Sequence, residues 1–214
     1  MNKVSIEYWR LASRDMKDLI LVIMLIWITP SLAWSDYQEA IDAFDAGDVL
    51  SALKEFQALA DENDAKGQYG LAIMYDLGEG VLQNSKQAAK WYQLSAEQGY
   101  ADAQNNLGVM YENGEGVPKN YDEAMKWYRK AAELGNKDAP NNIGTMHMSG
   151  IGVARNFVKA HMWFSIAGKS DPAAVSNKKY ILKRMAPEEV IHAESLAQEW
   201  LKIREQKKQI NSEE

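Results

Sequence analysis

Cysteine is absent from all 214 residues, so neither a disulfide nor thiolate chemistry is open to this chain, and packing alone must hold it together. Positive charge is short as well. The 24 lysines and arginines face 30 acidic residues, leaving a net charge of -6. A nucleic-acid binder needs a basic stripe to meet phosphates, and no such stripe or polybasic membrane patch is present. The three histidines, His147, His161 and His192, are too few and too scattered for a metal or catalytic cluster. Tyr75 and Tyr111 occupy the slot of His147, so it is expected in the core, and His161 and His192 on helix surfaces.

A long hydrophobic run is also missing. The apolar run from Leu19 to Ile28 has ten residues, whereas a spanning helix needs about 20. It sits in a segment of different texture, with Lys3, Arg10, Arg14 and Lys17 before it and Thr29, Pro30, Ser31, Leu32 and Ala33 after it. This is the layout of a signal peptide over 1–33, cleaved before Trp34, with Met16-Lys17 offering a second, more compact start. The mature chain is therefore expected in the periplasm or secreted. If the segment stays uncleaved, it anchors the chain in the membrane facing the periplasm, the only membrane contact expected.

What the sequence does have is a period. Trp91, Trp127 and Trp163 recur at 36 residues, and Tyr92, Tyr128 and Phe164 and the alanines Ala88, Ala124 and Ala160 move with them. Paired glycines keep the same step: Gly78 and Gly80, Gly114 and Gly116, Gly150 and Gly152, each pair followed by Val81, Val117 or Val153. Upstream, Leu71, Leu107 and Ile143 mark a first helix, with the small Ala72, Gly108 and Gly144 beside them for close helix approach. A second helix starts at Asn84, Asn120 and Asn156, whose side-chain oxygens suit N-caps. Gln87 and Glu123, three residues on, complete capping boxes. Gly99 and Gly135 end that helix, and Asn63 holds the same slot one period earlier.

The period reaches back through Asp48, Ala52, Phe56 and Ala60, and fails after Gly168, where Asp171, Pro172 and Pro187 punctuate two further helical segments. In the last segment Val190, Ala193, Ala197, Trp200 and Leu201 share one face, suited to covering the open end of a stack, while Lys207 to Glu214 is expected to fray. The organisation read from the chain is a degenerate hairpin over 34–63, three full units over 64–100, 101–136 and 137–170, and capping helices over 171–214. The fold class is all-α.

The middle unit resembles the Sel1-like repeat family, a relative of tetratricopeptide repeats. The match is carried by Ala101-Asp102-Ala103-Gln104, Asn106-Leu107-Gly108, Tyr111, Gly114-Glu115-Gly116-Val117, Ala124 and Trp127-Tyr128-Arg129-Lys130-Ala131-Ala132. The flanking units depart at Ala72 and Ser95, and at Pro140 and His147. The resemblance implies an α-solenoid of antiparallel helix pairs serving as an adaptor or assembly scaffold, often exported in bacteria. A cysteine-rich branch of the family is associated with β-lactam binding and hydrolysis, and the absence of cysteine places this chain outside it.

Chemistry is harder to find. The Gly-Glu-Gly runs at 78–80 and 114–116 lack the Lys and Ser or Thr of a phosphate loop, and the tryptophans sit at packing positions. No nucleophile, base and orienter recur at a usable spacing, so neither catalysis nor a cofactor is expected. Stacked hairpins curve, and their first helices line a concave face that a partner can occupy. By analogy with tetratricopeptide repeats, the outward positions are Lys66, Tyr69, Ile73 and Asp76, then Asp102, Asn105, Val109 and Glu112, then Asp138, Asn141, Thr145 and Met148. Asn105, Asn106, Asn141 and Asn142 offer amides that both donate and accept, as a peptide backbone requires. The function this supports is a non-catalytic scaffold for a protein or peptide partner, with an envelope-anchored structural component, or a β-lactam-binding or hydrolysing enzyme as in the cysteine-rich branch, as the alternatives.

Overall fold

The computed structural model describes residues 37–168 and 171–213. The signal segment, its cleavage point and the second start at Met16 all lie outside the described residues. Within them every regular element is a helix: α1 (37–45), α2 (Val49–Asp61), α3 (Ala65–Leu77), α4 (Ser85–Glu97), α5 (Ala101–Asn113), α6 (Tyr121–Leu134), α7 (Ala139–Ser149), α8 (Phe157–Ala167), α9 (Pro172–Leu182) and α10 (Pro187–Glu213). The helices pack in chain order, α3 on α4, α5 on α6 and α7 on α8 within hairpins, and α2 on α3, α4 on α5 and α6 on α7 between them. That is an α-solenoid. α9 and α10 both lie on α8 and close the stack.

The turn inside the hairpins α3–α4, α5–α6 and α7–α8 repeats its backbone bonds. Gly78, Gly114 and Gly150 end the first helix in the left-handed region, with φ of 77°, 79° and 74°. The backbone N–H groups of Asn84, Asn120 and Asn156 then donate to the carbonyls of Tyr75, Tyr111 and His147, each at 2.8 Å. Meanwhile the asparagine side chains accept from the first-turn amides, as at Asp122 N (3.0 Å) and Glu123 N (3.1 Å). The expected capping boxes are therefore not needed, because the N-cap N–H that Gln87 or Glu123 would satisfy is already taken by the preceding helix. Glu123 turns instead to Lys126 Nζ at 3.0 Å. A reciprocal bond of this kind does form at α10, where Glu189 Oε2 accepts from Ala186 N at 2.8 Å.

Between hairpins the core is the period made solid. Leu71, Leu107 and Ile143, Met74, Met110 and Met146, and Tyr92, Tyr128 and Phe164 are all buried. The small residues work as expected: a Cβ on Gly108 would sit 2.7 Å from the Tyr128 ring, and one on Gly144 2.5 Å from the Phe164 ring. Trp127 and Trp163 are buried, whereas Trp91 is half-buried. The tail expected to fray continues as helix to Glu213, consistent with its run of Lys, Glu and Gln, all good helix formers.

His161 corrects the expectation of a surface position, since it is fully buried, while His147 is buried as expected and His192 is exposed. Its slot is filled by Ala89 and Met125 in the preceding units, so the period itself carried the signal. Burial, and then Lys178 on α9, hold the His161 imidazole below its ordinary value of 6.5, with Glu194 on α10 opposing. The unfolded chain binds the proton first. The stability tied to neutral His161 is therefore fully present above about pH 6.5 and is lost as the pH falls through the lowered folded value. His147, lowered by burial and by Lys159 and Arg129, adds a loss of the same sign. A chemical-denaturation series from pH 7.5 to pH 5 should show His161→Met losing less stability over that span than the parent. Parallel curves would mean that His161 does not control this step.

Candidate functional site: the face of the first helices

Charge is divided between the two helix sets. The first helices α1, α3, α5 and α7, with their N-caps, carry Glu39, Asp42, Asp45, Asp64, Asp76, Asp102, Glu112 and Asp138 against Lys66 alone. The second helices α2, α4, α6 and α8 with their N-caps balance seven carboxylates with seven lysines and arginines. Summed over the stack, the first-helix set is thus acidic and the second-helix set neutral, a partition that screening leaves intact at short range.

The residues expected on this face are mostly engaged with one another. Tyr128 Oη donates to Glu112 Oε2 at 2.7 Å, and Tyr92 Oη lies 3.5 Å from Asp76 Oδ2, bridging the two helices of a hairpin. In the third unit both partners change together, to Phe164 and Met148, so hydroxyl and carboxylate vanish as a pair. This coupled exchange was the sequence signal that Asp76 and Glu112 are hairpin acceptors. Tyr128→Phe alone should cost about 1 kcal/mol, because it strips a half-buried carboxylate of its donor. Adding Glu112→Met should recover most of that in urea melts, and additive losses would count against the coupling.

Asparagines stitch consecutive first helices. Asn142 Nδ2 donates to Asn105 Oδ1 at 3.0 Å, and Asn177 Nδ2 to Asn141 Oδ1 at 3.3 Å. Asn106 is hydrogen-bonded with the Tyr69 and Tyr92 side chains, and Asn105 Nδ2 lies 3.5 Å from Asn106 Oδ1. Asn105 departs from its expected outward position, being only 7% exposed, because α5 and α7 close over it. Asp102 accepts from Asn136 Nδ2 at 2.7 Å and is otherwise exposed. Asp138 precedes α7 as its N-cap but makes no capping bond, since Asn136 Oδ1 accepts from both Asp138 N and Ala139 N.

Tyrosines gather toward the N-terminal end. The Tyr69 ring centroid lies 4.8 Å from that of Tyr100 and 5.9 Å from that of Tyr92, and Lys66 Nζ sits 5.2 Å above the Tyr37 ring. Burial pushes the Tyr69 hydroxyl up to about 12, with Asp102 next in effect, and burial likewise raises Tyr37, Tyr92 and Tyr100. Burial followed by Glu115 raises Asp76. The tyrosines are thus neutral hydrogen-bonding and cation-facing groups at physiological pH. Sequence reasoning expected the opening helix of the degenerate hairpin but gave it no place at the site, whereas Tyr37, Ile41 and Phe44 of α1 line a cleft against α3. Their apolar spacing was legible, but α1 precedes the strict period.

Among the described residues no group of three His, Asp or Glu side chains is placed to hold a metal ion, and no helix is long and apolar enough to cross a membrane.

The Sel1 repeat profile matches residues 65–100, 101–136 and 138–172. The crystal structure of a Sel1 repeat protein from Oxalobacter formigenes is similar at 33% identity with a TM-score of 0.63, over 68% of this chain and 59% of that one. This chain thus spans little more than half of that relative. A protective antigen of uropathogenic Escherichia coli strains, described as displaying an SLR fold, is 28% identical over 79% of this chain and 45% of its own, with a TM-score of 0.49. The Helicobacter pylori cysteine rich protein B is 24% identical over 60% of this chain and 93% of its own, with a TM-score of 0.47. No curated protein matches the sequence.

Proposed function

The chain belongs to the Sel1 repeat family, whose members generally mediate protein–protein interaction, and from that premise we propose that it is a non-catalytic scaffold that binds a protein or peptide partner along its first helices. The observation that carries this reading is the charge partition: eight carboxylates and a tyrosine cluster on one side of the stack, balanced charge on the other. A helix set of one net sign favours a partner of the other sign and repels like-charged competitors. Lys66, Tyr69, Asp102 and Asp138 are the expected contact residues. Asp76, Glu112, Asn105, Asn106, Asn141 and Asn142 hold the face in shape through the hydrogen bonds described above.

The scaffold is proposed to act in the periplasm or the secreted space, a reading supported by the basic, apolar and small-residue order of residues 1–33. N-terminal sequencing of the protein from a periplasmic extract should begin at Trp34. Recovery of the intact N-terminus in the membrane fraction would favour the envelope-anchored form.

The binding face is tested by photo-crosslinking in the native envelope fraction, comparing the parent with Asp102→Lys/Asp138→Lys and with Lys126→Glu/Lys130→Glu on the opposite side. Loss of one defined crosslinked product in the first variant only, with melts that stay cooperative and within a few degrees of the parent, is the expected result. Loss only in the second moves the site to the second helices, and no product in any form removes the scaffold reading.

A further inference from the structure

The asparagine slot of the first helices is not filled in every unit. Asn106 and Asn142 fill the same slot of successive units, and one period earlier that slot is Gly70. Beside it, between α1 and α3, lies an apolar cleft of about 120 Å³, lined by Tyr37, Ile41, Phe44, Phe56, Tyr69 and Ile73. Its floor is the Phe56 ring, set so closely on Gly70 that a Cβ there would lie 2.8 Å from Phe56 Cγ. A dry apolar cavity of about 150 Å³ accepts a benzene-sized guest, so this cleft has room for one aliphatic or aromatic side chain.

Its surroundings select the rest of the ligand. α1 carries Glu39, Asp42 and Asp45 and no basic residue, Asp64 and Asp102 lie in the field of Tyr37, and Asp102 and Asp138 in that of Tyr69. Resting on the scaffold reading above, we propose that the α1–α3 cleft anchors a cationic peptide segment: one aliphatic or aromatic side chain fills the cleft, and an adjacent lysine or arginine meets the bordering carboxylates. The apolar insertion supplies most of the affinity and the carboxylates set the partner's charge.

Selection of random peptides displayed on phage against the protein, followed by anisotropy with the fluorescein-labelled synthetic winner, tests this directly. The enriched sequences should place Leu, Ile or Phe within two residues of Lys or Arg. Ile41→Ser and Ile73→Ser should each weaken the labelled peptide about tenfold, the size expected for losing one buried contact. Asp42→Asn/Asp102→Asn, at exposed positions, tests the charge half independently of the core, and should weaken binding and flatten its dependence on salt.

Acidic or uncharged winners, or binding indifferent to the cleft variants, would overturn the proposal. So would peptide binding that appears only after residues preceding Tyr37 are removed, which makes the chain's own N-terminal segment the occupant, or self-association abolished by Ile41→Ser, which makes it a second copy. A crosslinked partner mapping to α5 and α7 would sink this inference while leaving the scaffold intact. Failure of both peptide selection and crosslinking would remove both.

Discussion

Gly116→Ala is expected to lower the stability of the stack by about 2 to 5 kcal/mol, a loss far beyond that of an ordinary turn substitution. Two terms contribute. The residue sits at φ 70°, where an L side chain is strained, and a Cβ would overlap the Ser85 carbonyl and lie 2.9 Å from Lys86 N. Ser85 opens α4, the second helix of the preceding unit, and its backbone cannot rotate away as a side-chain tip can. The equivalent contacts are Gly80 on Val49 and Gly152 on Tyr121, one period apart on either side, so this loop glycine is the point where each unit rests on the one before. Gly135→Ala separates the two terms, because Gly135 has φ 93° but nothing within 4 Å of a built Cβ. It should cost only about 1 kcal/mol. In thermal melts followed by circular dichroism, Gly116→Ala should fall roughly 10 °C and Gly135→Ala a few degrees. Equal losses would mean that backbone conformation alone, and not contact between units, sets the requirement for glycine.

The stack was legible in the sequence because its determinants are local and recur. A turn glycine, an N-cap asparagine and a buried aromatic at fixed spacing each act within one hairpin, and repetition turns weak signals into one strong one. The capping boxes were misread for the opposite reason. Whether the Asn120 N–H is free depends on the Tyr111 carbonyl nine residues earlier, which only the folded hairpin brings to 2.8 Å. His161 was misplaced because a polar residue was weighed by type, although Ala89 and Met125 in its slot marked that position as core.

The functional face was legible in part. Its helices and its acidic character follow from the period, yet the division of labour among its residues does not. Asn105 and Asn142 look like free amides in a sequence, and become a rung only when α5 and α7 stand side by side. Asp76 and Glu112 look like exposed acids until the tyrosine sixteen residues on is seen to share each site. Gly70 is informative in a different way, since the Phe56 ring takes the space its side chain would need and lines the cleft beside it.

Removing α10 should be as damaging as Gly116→Ala, by a different route. Each unit of a solenoid buries its apolar face against its neighbour, so the last unit needs a cover with a polar outer side. Here the cover is α10, which packs on α8 with Ala193 and Ala197 buried and sets the Trp200 ring 5.3 Å from that of Trp163. At 27 residues it is about 40 Å long, more than twice the length of α8, so its distal part cannot all be cover. Truncation after Met185 would bare Trp163 and its neighbours, and the nearest-neighbour coupling of a repeat array predicts a graded loss from that end. Hydrogen exchange should show α7, α8 and α9 losing protection first while α2 to α5 keep most of theirs, with a protein more prone to aggregate. Truncation after Arg204, by contrast, removes only residues whose described side chains are exposed and should leave the melt within about 1 kcal/mol of the parent. Trp200→Ala should fall between the two, at about 2 kcal/mol for a half-buried ring. If protection were instead lost uniformly along the array in the Met185 truncation, the stack would be one cooperative unit, and α10 would stabilise it as a whole instead of capping its final repeat.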